Sequence, residues 1–226
     1  MDNKDTPVAP YVTQLYDSYF SSFYSVVQTS KTYGMLSTFF FAKKIFRYVV
    51  DILSAKDSVF QAGVVGGNFE RAVFEKIGEN ADYTIADISQ IRLNLCADFL
   101  GFHENLHLEK KDVRFPFTKK YDTVLCAFLL HEMPDKSKKI VIENILESLN
   151  EKGKAVFIDY HVPAFHLIHR PVRWFNRLFE PFADSLFDRP FEYFLPDASL
   201  YTCKKQLFCL GLYQCVVVKR KKVRSR

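Results

Sequence analysis

Residues 59–73 read VFQAGVVGGNFERAV. Val59 to Ala62 suit a short apolar strand, and glycines follow at 63, 66 and 67. Phe69 and Val73 then open a spacing of four that continues to Ile77. A strand, a glycine turn and an amphipathic helix in succession is the opening unit of a wound α/β sheet. Glycine lets the backbone of the turn approach a ligand closely, and the following helix presents its free N–H groups there. Nucleotide-type ligands use this geometry at the carboxyl edge of such sheets. No Gly-Lys-Ser/Thr follows, so the turn is not a P-loop, and the dinucleotide pattern G-x-G-x-x-G is absent.

The alternation continues outward from this stretch. Tyr83–Ala86 reads as a second strand, after which Ser89 caps a helix carrying Ile91, Leu95 and Phe99. Leu106–Glu109 is a third strand. Thr123–Leu129 is nearly continuous in apolar residues, the mark of a strand covered on both faces. Asp135 caps a helix with Val141, Ile145 and Leu149 on one face, and Lys154–Asp159 is a fifth strand. Upstream, residues 36–54 form a helix with Phe41, Ile45, Val49 and Leu53 in line, preceded by a Tyr/Ser/Thr-rich extension that reads as a lid. Downstream, an aromatic helical stretch holds Trp174, Phe175, Leu178, Phe179 and Phe182. Two β-like runs, Tyr201–Phe208 and Leu212–Val218, then meet near Gly211 as a hairpin. Three segments result: 1–54 as a helical extension, 55–218 as the ligand-binding domain and 219–226 as a basic tail.

Composition narrows the class. Of 226 residues, 48% are hydrophobic and 25% charged, which suits a globular body able to bury its core without disulfides or a structural metal. Five cysteines with no C-x-x-C pair point to a reducing compartment. The start MDNKD lacks the apolar core of a signal peptide, and the longest apolar run stops at Lys43. The net charge of +5 is concentrated in the last eight residues, KRKKVRSR, which hold six Lys or Arg. Such a tail suits an anionic membrane surface. Nucleic acid is not expected, because no groove-reading element or separate basic face accompanies the tail. The 23 Phe, 12 Tyr and 1 Trp suggest an apolar ligand or surface.

Polar residues gather at the predicted strand ends. Asp87 closes the second strand, YTIAD, about 20 residues beyond the glycine turn, where a carboxylate can accept both ribose hydroxyls. Asp112 follows the third strand, placed to take an adenine amino group while Val113 packs on the ring. His131 and Glu132 follow the fourth strand; Asp159, Tyr160 and His161 follow the fifth. Such a cluster can move protons, and Glu132, Asp159 and His161 offer oxygen and nitrogen ligands to a divalent ion.

This order of features over 55–218 resembles the class I S-adenosylmethionine (SAM) methyltransferases. Four blocks, AFLLHEMPD (127–135), GKAVFIDYHVP (153–163), FEPFADSLF (179–187) and LGLYQCVVV (210–218), resemble the rhodoquinone biosynthesis protein family, a quinone-modifying branch of that superfamily. Gln61, standing where most methyltransferases begin the glycine motif with an acid, matches that branch; Val65 replaces the usual middle glycine. The resemblance implies an α/β fold with a seven-stranded, mostly parallel sheet, an antiparallel C-terminal hairpin strand and helices on both faces. It implies SAM bound by Gln61, Gly63, Gly67, Asp87 and Ile88, with Asp112, Val113 and Phe128 completing the site. The strand-end cluster His131, Glu132, Asp159, Tyr160 and His161 is the candidate for catalysis, and Glu132, Asp159 and His161 are the candidate ligands of the divalent ion, Mn2+, that the resemblance implies. The implied reaction passes the amino nitrogen of SAM to a ubiquinone-like membrane quinone; the alternative is methyl transfer to a quinone or another apolar small molecule. The implied setting is cytoplasmic, peripheral to the inner face of a membrane.

Overall fold

The computed structural model describes residues 33–162 and 182–221, which carry one seven-stranded mixed sheet. The strands run in the order β3-β2-β1-β4-β5-β7-β6: β1 Val59–Ala62, β2 Tyr83–Asp87, β3 Leu106–Lys110, β4 Tyr121–Ala127, β5 Leu149–Tyr160, β6 Tyr201–Phe208 and β7 Tyr213–Arg220. The chain divides into two compact units at Phe115–Pro116.

In the first unit β1 pairs in parallel with β2, and β2 with β3. Helix α1 (Tyr33–Ile52) buries Ile45 and Val49, and Leu53 just beyond it, on the predicted face. Helix α2 (Gly67–Ile77) buries Phe69, Val73 and Ile77 as its spacing of four requires. Helix α3 (Gln90–Leu100) departs from expectation. Ser89 does cap it, accepting from the Arg92 N–H, but the buried residues are Leu93 and Cys96 rather than Ile91, Leu95 and Phe99. Phe99 is exposed on one side, and Arg71 covers it with its guanidinium 4.1 Å from the ring centroid while donating to the Phe99 carbonyl at 2.8 Å. A cation over an aromatic face lets the ring lie outside the core.

In the second unit β4 runs parallel to β5, while β7 is antiparallel to both β5 and β6. The expected closing hairpin is present. Strand β4 stops at Ala127, two residues short of the predicted end, because Phe128 takes a left-handed conformation with φ +53°. A single 3-10 turn, Leu130–Glu132, follows. Helix α4 (Asp135–Glu147) is entered from Pro134, and Asp135 is its first residue rather than its cap; Leu149, expected on that helix, begins β5. Val141, Ile142 and Ile145 form its buried face. Lys138 on the same helix is fully buried, its Nζ donating to Asp135 Oδ1 at 2.9 Å, the Phe182 carbonyl at 2.6 Å and Ser185 Oγ at 2.6 Å. It thereby ties helix α5 (Asp184–Asp188) to α4.

Candidate functional site

The first unit's polar residues meet at the ends of β1, β2 and β3. β1 runs into a turn in which Gly63 (φ +84°) and Gly66 (φ +151°) hold conformations that only glycine adopts without strain. A Cβ on Gly66 would meet nothing within 4 Å, so the turn borders open space. Gln61 is fully buried beneath it. Its amide donates to the Gly63 carbonyl and to Glu70 Oε1, both at 2.8 Å, and its oxygen accepts the Tyr83 hydroxyl. Burial, and then the charge of Glu70, hold the Tyr83 phenol well above its ordinary pKa, so it acts as a neutral donor.

Glu70, which carries no site motif in the sequence, organises the turn. It is fully buried in the first turn of α2, accepting from the Val65 N–H at 2.7 Å and from the Gly66 N–H at 3.2 and 3.1 Å. A carboxylate there also complements the positive end of the helix. The signal that could have found it is an acid in the first helical turn after a glycine turn.

Asp87 is buried at the end of β2, as expected. Its Oδ2 accepts from the Val64 N–H at 2.8 Å and its Oδ1 from the Ser89 N–H at 2.9 Å, which ties the glycine turn to β2. Arg92 Nε stands 3.4 Å from Oδ2, and Arg92 Nη2 donates to the Val64 carbonyl. Ile88 is half-buried beside it. The Lys111 N–H donates to the Asp87 carbonyl at 3.0 Å, which brings Asp112 and the buried Val113 to the same edge. Asp112 carries a forked contact from Arg114, with Nη2 2.7 Å and Nε 2.9 Å from Oδ2. Neither arginine was predicted.

In the second unit, Phe128 turns the chain out of β4 while its N–H donates to the Ile158 carbonyl at 2.8 Å. A left-handed non-glycine residue costs free energy and persists where its surroundings over-determine it. The turn delivers the Leu130 and His131 N–H groups to Asp159 Oδ2, at 2.9 and 3.2 Å. Asp159 Oδ1 faces His131 Nδ1 at 2.9 Å and accepts from the Tyr160 N–H at 2.8 Å. A carboxylate with four such contacts is an acceptor only, so the His131 proton belongs on Nδ1 and Nε2 is the basic nitrogen. Tyr160 packs edge-on to His131 at 5.1 Å and stacks with Phe187 at 5.5 Å and Tyr213 at 5.3 Å. Phe128 meets Tyr213 edge-on at 5.7 Å. Tyr213 and Phe187 were not predicted as site residues; only the register Tyr160↔Tyr213 across β5 and β7 shows the first of them.

The expected metal cluster does not form. His161 Nδ1 lies 2.9 Å from the Val162 carbonyl and 3.1 Å from the Gly211 carbonyl, held by the turn before β7. Glu132 ends the 3-10 turn, and Asp159 is engaged by backbone N–H groups and by His131. Among the described residues no three His, Cys, Asp or Glu side chains converge as a metal site requires. The residues therefore do not fit a Mn2+ ion. His166, His169 and the aromatic stretch through Phe179 lie outside the described residues, as does the tail beyond Lys221.

No protein-family model matches the chain, and the comparison with curated proteins finds no match. Solved structures do resemble it. The pyocyanin biosynthetic protein superposes with a TM-score of 0.59 at 16% identity over 80% of this chain and 55% of its own. Human N-acetylserotonin methyltransferase, solved with SAM, gives 0.56 at 13% identity over 78% of this chain and 52% of its own. The chain thus spans little more than half of these two proteins. It spans 97% of the N-methyltransferase NodS from Bradyrhizobium japonicum, with a TM-score of 0.55 at 12% identity over 80% of this chain. At such identities the shared property is the fold: an α/β body of class I methyltransferase architecture with an antiparallel C-terminal hairpin.

Proposed function

We propose that the protein is a SAM-dependent methyltransferase acting on the ring hydroxyl of a hydroquinone or another apolar small molecule. The observation that carries this reading is the buried His131–Asp159 pair, with Nδ1 and Oδ1 2.9 Å apart. Support comes from the fold and from the nucleoside-like chemistry of the first unit. Gly63, Gly66 and Gly67 leave a turn open to a ligand, Asp87 offers a carboxylate to ribose hydroxyls, and Asp112 and Val113 offer an acceptor and an apolar face to adenine. Bound SAM supplies an activated methyl carbon. With SAM as methyl donor, His131 Nε2 would take the proton of the substrate hydroxyl. Asp159 holds the Nδ1–H and stabilises the imidazolium, a division of labour that general-base catalysis rewards by roughly 10²–10⁴ in rate. Feeding methyl-labelled SAM with a panel of hydroquinones tests this: label appears in an O-methyl product, and its absence from every product removes the reading.

A second reading, amination of a quinone, draws on the two blocks that carry the resemblance to the rhodoquinone family, since 127–135 supplies His131 and 153–163 supplies Asp159 and Tyr160. Label on the amino nitrogen of SAM would enter the quinone in that case. The lack of a metal cluster among the described residues weighs against it.

A long-tailed quinone substrate would require the enzyme to work at a membrane surface. No helix among the described residues is long and apolar enough to cross a membrane. Leu200, Leu207 and Leu210 are exposed on and beside β6, and 219–226 holds six cations. Each cation near an anionic surface contributes about 1 kcal/mol. Flotation with anionic vesicles at low salt should carry the full chain, and a chain ending at Lys221, just past the end of β7, should float less.

A further inference from the structure

Asp87 is the carboxylate on which the nucleoside reading rests, and its own chain already occupies it. Oδ2 accepts from the Val64 N–H at 2.8 Å and stands 3.4 Å from Arg92 Nε; Oδ1 accepts from the Ser89 N–H at 2.9 Å. Through Nη2 the same guanidinium donates to the Val64 carbonyl, bridging the glycine turn and the end of β2. The Asp87 side chain is 3% exposed and that of Arg92 is 13% exposed, so the guanidinium is part of the cover over the carboxylate.

A carboxylate has about four acceptor directions. On Asp87 two accept backbone N–H groups, the Arg92 guanidinium stands 3.4 Å off Oδ2 as an ion pair across the approach to a third, and a ribose brings two hydroxyl donors. The two backbone donors are fixed by the turn and by the start of α3. The diol and the guanidinium therefore compete for the same oxygen. Asp112 repeats the arrangement with Arg114, but there the arginine is 31% exposed and an adenine amino group needs a single acceptor direction.

We infer that Arg92 is a built-in competitor for the ribose diol, a latch whose guanidinium must leave Asp87 before that diol can seat. The inference rests on the nucleoside site proposed above and adds its regulation. A closed latch holds the glycine turn against β2 and lowers apparent affinity by the fraction of molecules in which it is shut. A ligand without the vicinal diol makes no claim on that oxygen, so the latch weighs on ribose-bearing ligands alone.

Titration calorimetry of the full chain with S-adenosylhomocysteine, adenosine and 2′,3′-dideoxyadenosine tests this. Arg92→Met should bind the first two about tenfold more tightly than the wild type, as for a latch open in roughly a tenth of molecules, and should bind the dideoxy compound no better. In the wild type the Arg92 Nε–H resonance should move on saturation with S-adenosylhomocysteine, a readout that does not depend on the variant folding. Unchanged or weaker binding by Arg92→Met, equal tightening for the dideoxy compound, or an unmoved resonance in saturated protein each overturns the latch and leaves the nucleoside site standing. If no form binds any nucleoside, the proposed function fails and the latch with it.

Discussion

Gln61 Nε2 lies 2.8 Å from Glu70 Oε1, so the carboxylate that β1 lacks is carried by the helix after the turn. The glycine turn is thereby held from below by an amide and from the helix side by an acid. Glu70 is fully buried, and it accepts from two N–H groups of the turn as well as from Gln61. Glu70→Ala leaves those donors without their acceptor, at a cost of about 2–4 kcal/mol. Thermal melting should show the loss, and nucleoside binding should fall with it. Glu70→Gln keeps an acceptor oxygen and should recover much of the stability. A Glu70→Ala protein that melts with the wild type would show that the turn stands without this carboxylate.

The His131–Asp159 pair predicts a split between kinetic constants. His131→Ala removes the base and should lower kcat by about 10²–10⁴, with the KM for SAM nearly unchanged. Asp159→Asn should be worse for stability, because Asp159 also accepts from the Leu130, His131 and Tyr160 N–H groups. Steady-state rates with saturating hydroquinone, set beside urea melts of both variants, separate the two effects. An active His131→Ala enzyme would remove this residue from catalysis.

The order of elements was legible because strand and helix periods differ, and each period repeated cleanly. Phe69, Val73 and Ile77 are the plainest instance, spaced by four and all buried. The face of α3 was misread because an exposed Phe99, shielded by a distant Arg71, mimics a core position. The end of β4 was misread because Phe128 and Leu129 look like strand to a hydrophobicity pattern, while left-handed backbone at Phe128 depends on tertiary contacts. Within the candidate site, residues at predicted strand ends were found, and residues that act on them were not. Arg92 reaches Asp87 by folding back from its helix, and Tyr213 reaches Tyr160 through strand register. Neither contact has a fixed sequence spacing.

The cysteines should divide by burial. Burial pushes the Cys96 thiol up to about 12, with the charges of Glu70 and Asp87 adding to it, and burial alone pushes Cys215 to about 12. Cys126 is raised by burial and then by Asp159. The thiolate is the reactive form. Alkylation of native protein at pH 8 should therefore label Cys203 and Cys209, which are half-buried, well before the other three. Peptide mapping reads the order directly. Early labelling of Cys96 would mean that the first unit opens readily.

Lys138 predicts a pH-dependent stability. Burial acts to raise the Asp135 carboxyl, but hydrogen bonds with Ser185 and Lys138, aided by the Lys138 charge, outweigh it and hold the group below its ordinary 3.8. A carboxyl depressed in the folded state contributes stability that is fully present above its unfolded pKa and is lost as pH falls through the folded value. The window thus lies below about pH 4, and the Asp135 contribution is intact at neutral pH. Lys138→Met removes the cation and leaves the Phe182 carbonyl and Ser185 without their donor, which should cost about 2–4 kcal/mol at pH 7. Urea melts of wild type, Lys138→Met, Asp135→Asn and the double variant, run at pH 7 and at pH 2.5, resolve the pair. The stability gap between wild type and Lys138→Met should narrow at the lower pH, and the coupling between the two positions should shrink there. It should not close, because the bonds from Lys138 to Phe182 and Ser185 do not titrate. A gap of equal size at both pH values would mean that Asp135 contributes nothing through Lys138.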